Sequence, residues 1–187
     1  MNRTDKYKKT FTLIELIVVI AIIAILSAIV APSAFRAIEK SKCTRAIQEA
    51  KTIKTASLSY YADTGTWPPR YRLTTPLNPF LENPGVNGWN GPYVDKWNAH
   101  PWAGHIGWDP ALDLDGSGAN DGCVVFDDDR PGTGSSDNQG RIPTRSMVKI
   151  DEMIDDGNLA TGDVQGDGQG LLSAIGELVI LVVRDGT

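Results

Sequence analysis

The chain has 187 residues, 41% apolar and 7% aromatic, which suffices for one globular core and is too little for two. Its formal net charge of −5 excludes the basic face that displaces counterions from phosphates, so nucleic acid is not expected among its partners. With two cysteines outside any Cys-x-x-Cys pattern, a four-thiolate zinc site is excluded too.

Residues 1–10 hold Arg3, Lys6, Lys8 and Lys9 against Asp5 alone. Behind this basic arm, Leu16 to Ala31 carries no charge, and Phe11–Ile14 and Pro32–Phe35 extend it to the length of about 20 residues that a bilayer-spanning helix needs. The arm keeps its own end cytoplasmic, so the remainder is expected outside the inner membrane. A secretory signal peptide has a similar order of regions and is cut after the apolar run. Glu15 argues against that reading, because it stands inside the apolar segment, and a carboxylate within a membrane helix is costly unless it is neutralised or paired. Its position calls for a partner.

Lys8-Lys9-Thr10-Phe11-Thr12-Leu13-Ile14-Glu15-Leu16 resembles the cleavage and methylation motif of type IV prepilins and type II secretion pseudopilins. The resemblance implies that a prepilin peptidase cuts between Thr10 and Phe11 and that the new Phe11 amine is methylated. It also implies that Glu15 pairs with that amine on a neighbouring subunit, each group relieving the other's desolvation in low dielectric. The family strongly prefers Gly where Thr10 stands, which implies slowed cleavage. Pro32 falls where many members carry a helix-kinking proline.

Beyond Pro32, Ile47, Ala50, Ile53 or Lys54, Ser57 or Leu58, and Tyr61 recur at helical spacing while Glu39, Lys40, Lys42, Arg45, Glu49, Lys51 and Lys54 form a solvated face. The pattern predicts one helix from Phe11 to about Ala62, roughly 78 Å at 1.5 Å per residue. It is apolar all round at first, then amphipathic. Gly65 is the expected left-handed cap, and Pro68-Pro69 bars continuation.

From Trp67 to about Gly140, Pro and Gly punctuate a region of turns and short strands. Its Trp67, Tyr71, Phe80, Trp89, Tyr93, Trp97, Trp102 and Trp108 are read as packing groups for a loop-rich body, in preference to a stacking platform for a ligand. Ala56 to Pro68 resembles the helix end of type II secretion major pseudopilins. Gly91-Pro92-Tyr93-Val94 and His100-Pro101-Trp102-Ala103-Gly104 resemble that subfamily's Gly-Pro-Tyr-Leu and Asp-Pro-Trp-Gly segments, with His100 and Ala103 as departures.

Asp113, Asp115, Ser117 and Asp121 stand at calcium-loop spacing around Gly118, making calcium the expected cofactor, although Val124 occupies the place of the bidentate Glu. Asp127, Asp128 and Asp129 follow closely, and Asp163 to Gly168 is a poorer second candidate. The alternative is that the Asp side chains cap their own turns. His100 and His105 are read as packing or surface residues. Cys43 and Cys123 are candidates for a disulfide in an exported body, with two separate buried thiols as the alternative. Strands are expected at Val124–Phe126, Met147–Ile150 and Glu177–Val183, and a helical turn at Asp151–Asp156.

These readings assemble into an α+β fold: a long N-terminal helix, transmembrane in its first half and amphipathic in its second, packed on a small, mainly antiparallel sheet with long loops. The expected domains are a basic leader at 1–10, a transmembrane and polymerisation helix at 11–35 and a periplasmic body at 36–187. The resemblance implies a structural subunit of a type II secretion pseudopilus, held in the bacterial inner membrane and added to a homopolymer with other pilin-like subunits by an assembly platform. A surface type IV pilin for adhesion, motility or DNA uptake is the nearest alternative, and a membrane-anchored binding module a more distant one. No nucleophile motif, His–carboxylate pair of useful spacing or phosphate-binding Gly loop marks the chain as an enzyme.

Overall fold

A computed structural model describes residues 11–114, 116–118, 120–132, 137–169 and 175–184. Thr10, where cleavage is expected, and the loop residue Asp115 lie outside them. The chain divides into two units, residues 1–39 and 40–187.

Helix α1 runs from Leu13 to Thr64 and passes through Pro32, so the predicted helix is present with both ends two residues later. Gly65 ends it as expected, with φ +72° and its N–H bonded to the Tyr61 carbonyl at 2.8 Å. In the first unit α1 is long and apolar enough to cross a membrane, and none of that window is buried by the protein itself. In the second unit Cys43, Ala46, Ile47, Ala50, Ile53, Ala56, Ser57 and Tyr60 are buried at intervals of three and four residues, the stripe that an amphipathic helix turns to a core.

That stripe packs on a sheet of four antiparallel strands, β1 (Ile106–Leu112), β2 (Asp121–Phe126), β3 (Val164–Gly166) and β4 (Leu178–Val183), in the order β1-β2-β4-β3. Strand alternation sorts the side chains between two faces. Ile106, Trp108, Val124, Phe126, Val164, Leu178, Ile180 and Val182 join the α1 stripe in the main core. Cys123, Val125 and Val179 point the other way and make a smaller cluster with Leu114. β1 was not evident in the sequence, because Pro110 interrupts it. As an edge strand it tolerates the missing N–H, and its register shifts between Asp109 and Leu112.

Two expectations need correction. Met147–Ile150 is not a strand but part of a second helix, α2 (Thr144–Ile154), where burial of Met147, Ile150 and Asp151 follows a helical period. Cys43 and Cys123 do not form a disulfide. Cys43 belongs to the helix-facing core and Cys123 to the opposite face of the sheet, so β2 itself separates the two sulfurs. The Cys43 thiol lies 3.7 Å from the Ser146 carbonyl.

The aromatic residues pack the body, as read. Phe80 stacks on Trp97 at 5.1 Å and meets Trp108 edge-on at 5.9 Å. Their polar edges are satisfied too: the indole N–H groups of Trp89, Trp97 and Trp108 donate to the carbonyls of Pro79, Ile106 and Pro68 at 2.8–3.0 Å.

Candidate assembly site

Two residue sets carry the functional expectations: the N-terminal tip of α1 with its apolar surface, and the polar groups of the body.

At the tip, Thr12 precedes the helix and Glu15 sits in its first turn. The Glu15 carboxylate accepts the Thr12 N–H at 2.8 Å and the Thr12 hydroxyl at 2.7 Å, and the Thr12 Oγ1 faces the Glu15 N–H at 3.3 Å. This is a capping box, in which two orphan donors of a helix start are satisfied reciprocally. Thr-x-x-Glu before an apolar run is its sequence signature, and reading Glu15 only as an assembly residue passed over it. Glu15 therefore has a structural task within its own chain. Phe11 beside it is 69% exposed.

From Phe11 to Ile38, no large apolar side chain is less than 45% exposed. Keeping a Leu or Ile in water instead of burying it costs about 1.5–3 kcal/mol each, so a continuous surface of this kind needs an apolar environment from outside the subunit. Ala21, Ala24, Ala28 and Ala31 also recur at three- and four-residue spacing on this segment. Small residues in such a row let helix backbones approach closely in lipid or in a bundle. That row, too, went unread in the sequence.

In the body, the acidic loops are largely occupied with their own backbone. Asp121, almost fully buried, accepts the Leu114 N–H at 3.1 Å, and Asp113 accepts the Gly118 N–H at 3.0 Å, while the other Asp113 oxygen is buried without a hydrogen bond. Ser117 is exposed. Nearby, Asp127, Asp128 and Glu177 bring one oxygen each within 4.8 Å. There the charge is already relieved: Arg141 lies 3.3 Å from Asp128, and burial together with the Asp127 and Asp128 charges pushes Glu177 up to about 7. Asp163 pairs with Arg184. On β1, Asp109 is fully buried between Arg72 at 2.7 Å and Arg70 at 3.0 Å, an ion pair that pins the strand to the preceding loop.

His100 and His105 are both buried, and burial drives each down to about 4, the Asp127 carbonyl resisting at His100 and the Arg72 charge assisting at His105. The His100 Nε2 lies 2.9 Å from that carbonyl. At neutral pH they are uncharged packing groups. Burial also raises the Cys123 thiol, so it is no nucleophile.

Residues 6–31 match the family described as the prokaryotic N-terminal methylation motif, and residues 37–117 match PilW, C-terminal. The major type IV pilin PilA1 from Clostridium difficile is similar in structure over 79% of this chain and 98% of its own, at 16% identity and a TM-score of 0.47. No curated protein matches the chain.

Proposed function

Taking the chain as a type IV pilin-like protein, we propose that it is a structural subunit, without catalysis of its own, that waits in the bacterial inner membrane and is then added to a type II secretion pseudopilus. The observation that carries the reading is the wholly exposed apolar surface from Phe11 to Ile38, with Glu15 at its tip. Lipid tails are as apolar as leucine, so moving this helix from bilayer to filament gains little hydrophobic energy. What favours the filament is close packing, which the alanine row permits, and relief of Glu15, whose carboxylate sits beside apolar side chains with only Thr12 as a hydrogen-bond partner among the described residues. A methylated Phe11 amine from the next subunit supplies that relief and sets the register.

The pseudopilus is favoured by the Gly91-Pro92-Tyr93 segment. It is tied to the end of α1: the Tyr93 hydroxyl donates to Asp63 at 3.0 Å, its ring packs 5.4 Å from Tyr60, and its N–H reaches the Phe80 carbonyl. A surface type IV pilus is the second reading, and the PilW match favours it, since it spans the same segment. Disrupting the gene separates the two: failure of protein export with intact surface fibres supports the first, the converse the second.

The test of assembly is Glu15→Gln against Glu15→Leu. Glutamine keeps the capping box but not the charge, so helix and membrane retention persist, while incorporation into filaments falls roughly tenfold or more, the factor given by about 1.4 kcal/mol of lost pairing. Incorporation of Glu15→Gln at the wild-type level would remove the amine pairing from the account. Processing is tested separately, by sequencing the mature N-terminus: Phe11 is expected first, and Thr10→Gly accelerates the cut.

A further inference from the structure

Most large apolar residues of the second unit are buried or half-buried, and among the described ones the exceptions are Leu58, Tyr61, Met153, Ile154 and Ile175. All but Ile175 fall in two pairs. Leu58 and Tyr61 are 46% and 44% exposed on α1, and Met153 and Ile154 are 45% and 37% exposed at the end of α2. Each pair stays open to solvent in the folded body, so neither is covered by the other.

The rims of the two pairs carry opposite charge. Lys51, Lys54, Leu58 and Tyr61 follow one another at intervals of three and four residues and so share one face of α1. Both lysines are exposed, and neither is in an ion pair among the described residues. The Tyr61 ring is steadied against Trp67, 4.6 Å away. Around Met153 and Ile154 stand Glu152, Asp155 and Asp156, all of them exposed. Lys149, 3.4 Å from Glu152, offsets one of these charges. Asp155 and Asp156 accept the backbone N–H groups of Asp163 and Asn158, which orient the carboxylates without neutralising them.

We propose that these patches are the two halves of one contact, in which the Lys51–Tyr61 stripe of α1 on one copy of the chain seats the Met153–Ile154 end of α2 on the next. The inference rests on the reading of the chain as a filament subunit and adds a contact between bodies to the helix surface from Phe11 to Ile38. A second copy is the occupant because the chain itself bears the complement in both respects, apolar against apolar and cation against anion. A contact between two different patches leaves one of each free at its ends and so propagates, as a helical polymer requires, whereas a patch that pairs with itself stops at a dimer. These few side chains bury far less than the about 1,200 Å² of a stable interface. The contact therefore forms where α1 helices already hold copies side by side and make it effectively intramolecular.

Cross-linking in filaments of the full chain tests this contact. Filaments co-assembled from two variants, one carrying Leu58→Cys and the other Met153→Cys, are treated with a bismaleimide, to which the buried Cys43 and Cys123 do not respond. Dimers holding one chain of each kind are expected, and either variant alone should give none. Charge exchange provides an independent readout. Lys51→Glu with Lys54→Glu should lower incorporation roughly tenfold or more by setting like charges face to face, and leave thermal unfolding of the body unchanged because both positions are exposed. Adding Glu152→Lys and Asp156→Lys to the same chain should restore most of the loss. Dimers from Leu58→Cys alone, no mixed dimers in filaments that form normally, reversed lysines that incorporate at the wild-type level, or an exchange that rescues nothing while the body unfolds at its usual midpoint would each overturn the contact and leave the assembly reading in place. A wild-type chain that enters no filament overturns both.

Discussion

The two units of this chain share one helix and treat its apolar residues in opposite ways. Ile23 is 56% exposed in the first unit, and Ile53 is 5% exposed in the second, though each stands on the same continuous α1. The second unit supplies its own partners: a sheet, aromatic loops and a buried ion pair. Among its described residues the first supplies none, and from Leu16 to Ala31 the helix is uncharged on every side. Burial is therefore a property of the folded body in the second unit, and in the first it would have to come from the surroundings, which is how the proposed function lets one helix serve as both a core element and an assembly surface.

The sharpest way to break this comparison is through the core. Trp108→Ala is expected to destabilise the body by about 3–5 kcal/mol, leaving membrane retention unchanged, as thermal unfolding and membrane fractionation would record. Ile53→Ala should cost about 2–5 kcal/mol, while Ile23→Ala stays within about 0.5 kcal/mol on the same measurement. Equal effects at the two isoleucines would mean that the first unit is packed within the subunit after all.

A smaller effect separates the units by pH. His100 and His105, held down to about 4 by burial, favour the fold above pH 6.5, and this contribution is lost as the pH falls toward 4, because the unfolded chain then binds protons that the folded one refuses. The loss is on the order of 3 kcal/mol per imidazole. Glu177, pushed up to about 7, has the opposite sign: the fold gains stability as the pH falls from 7 toward 4.5. The readout is therefore the change in slope. Replacing both histidines by Gln should flatten the acid loss of the body, and an unchanged slope would contradict their burial as neutral groups. Smallest is the helix start: Thr12→Ala removes half of the capping box and should fray the first turn of α1 at a cost of about 1 kcal/mol, seen as faster amide exchange there and not in the body.

What could be read from the sequence follows from how local each signal is. The apolar run, Glu15, the amphipathic continuation and Gly65 are contiguous patterns, and α1 appears almost as expected. β4 and part of β2 were legible as β-branched runs. Met147–Ile150 was not, because a run of only four residues, three of them apolar, fits a short strand and equally a helix whose Met147 and Ile150 are one turn apart. Cys43 and Cys123 could not be resolved at all: which face of β2 carries Cys123 depends on strand register, and register is set by distant pairing with β1 and β4. Thr12 was readable and overlooked, being overshadowed by the functional reading of Glu15.

The central claim is that the surface from Phe11 to Ile38 is covered first by lipid and then by copies of the subunit. A nitroxide label at Ile23→Cys reads this directly, because Cys43 and Cys123 are buried and will not take the label. In membranes the probe should be relaxed by lipid-soluble oxygen and not by a water-soluble nickel chelate; in isolated filaments both should fail to reach it. A probe that stays freely mobile and reachable by the chelate in the filament would contradict the account.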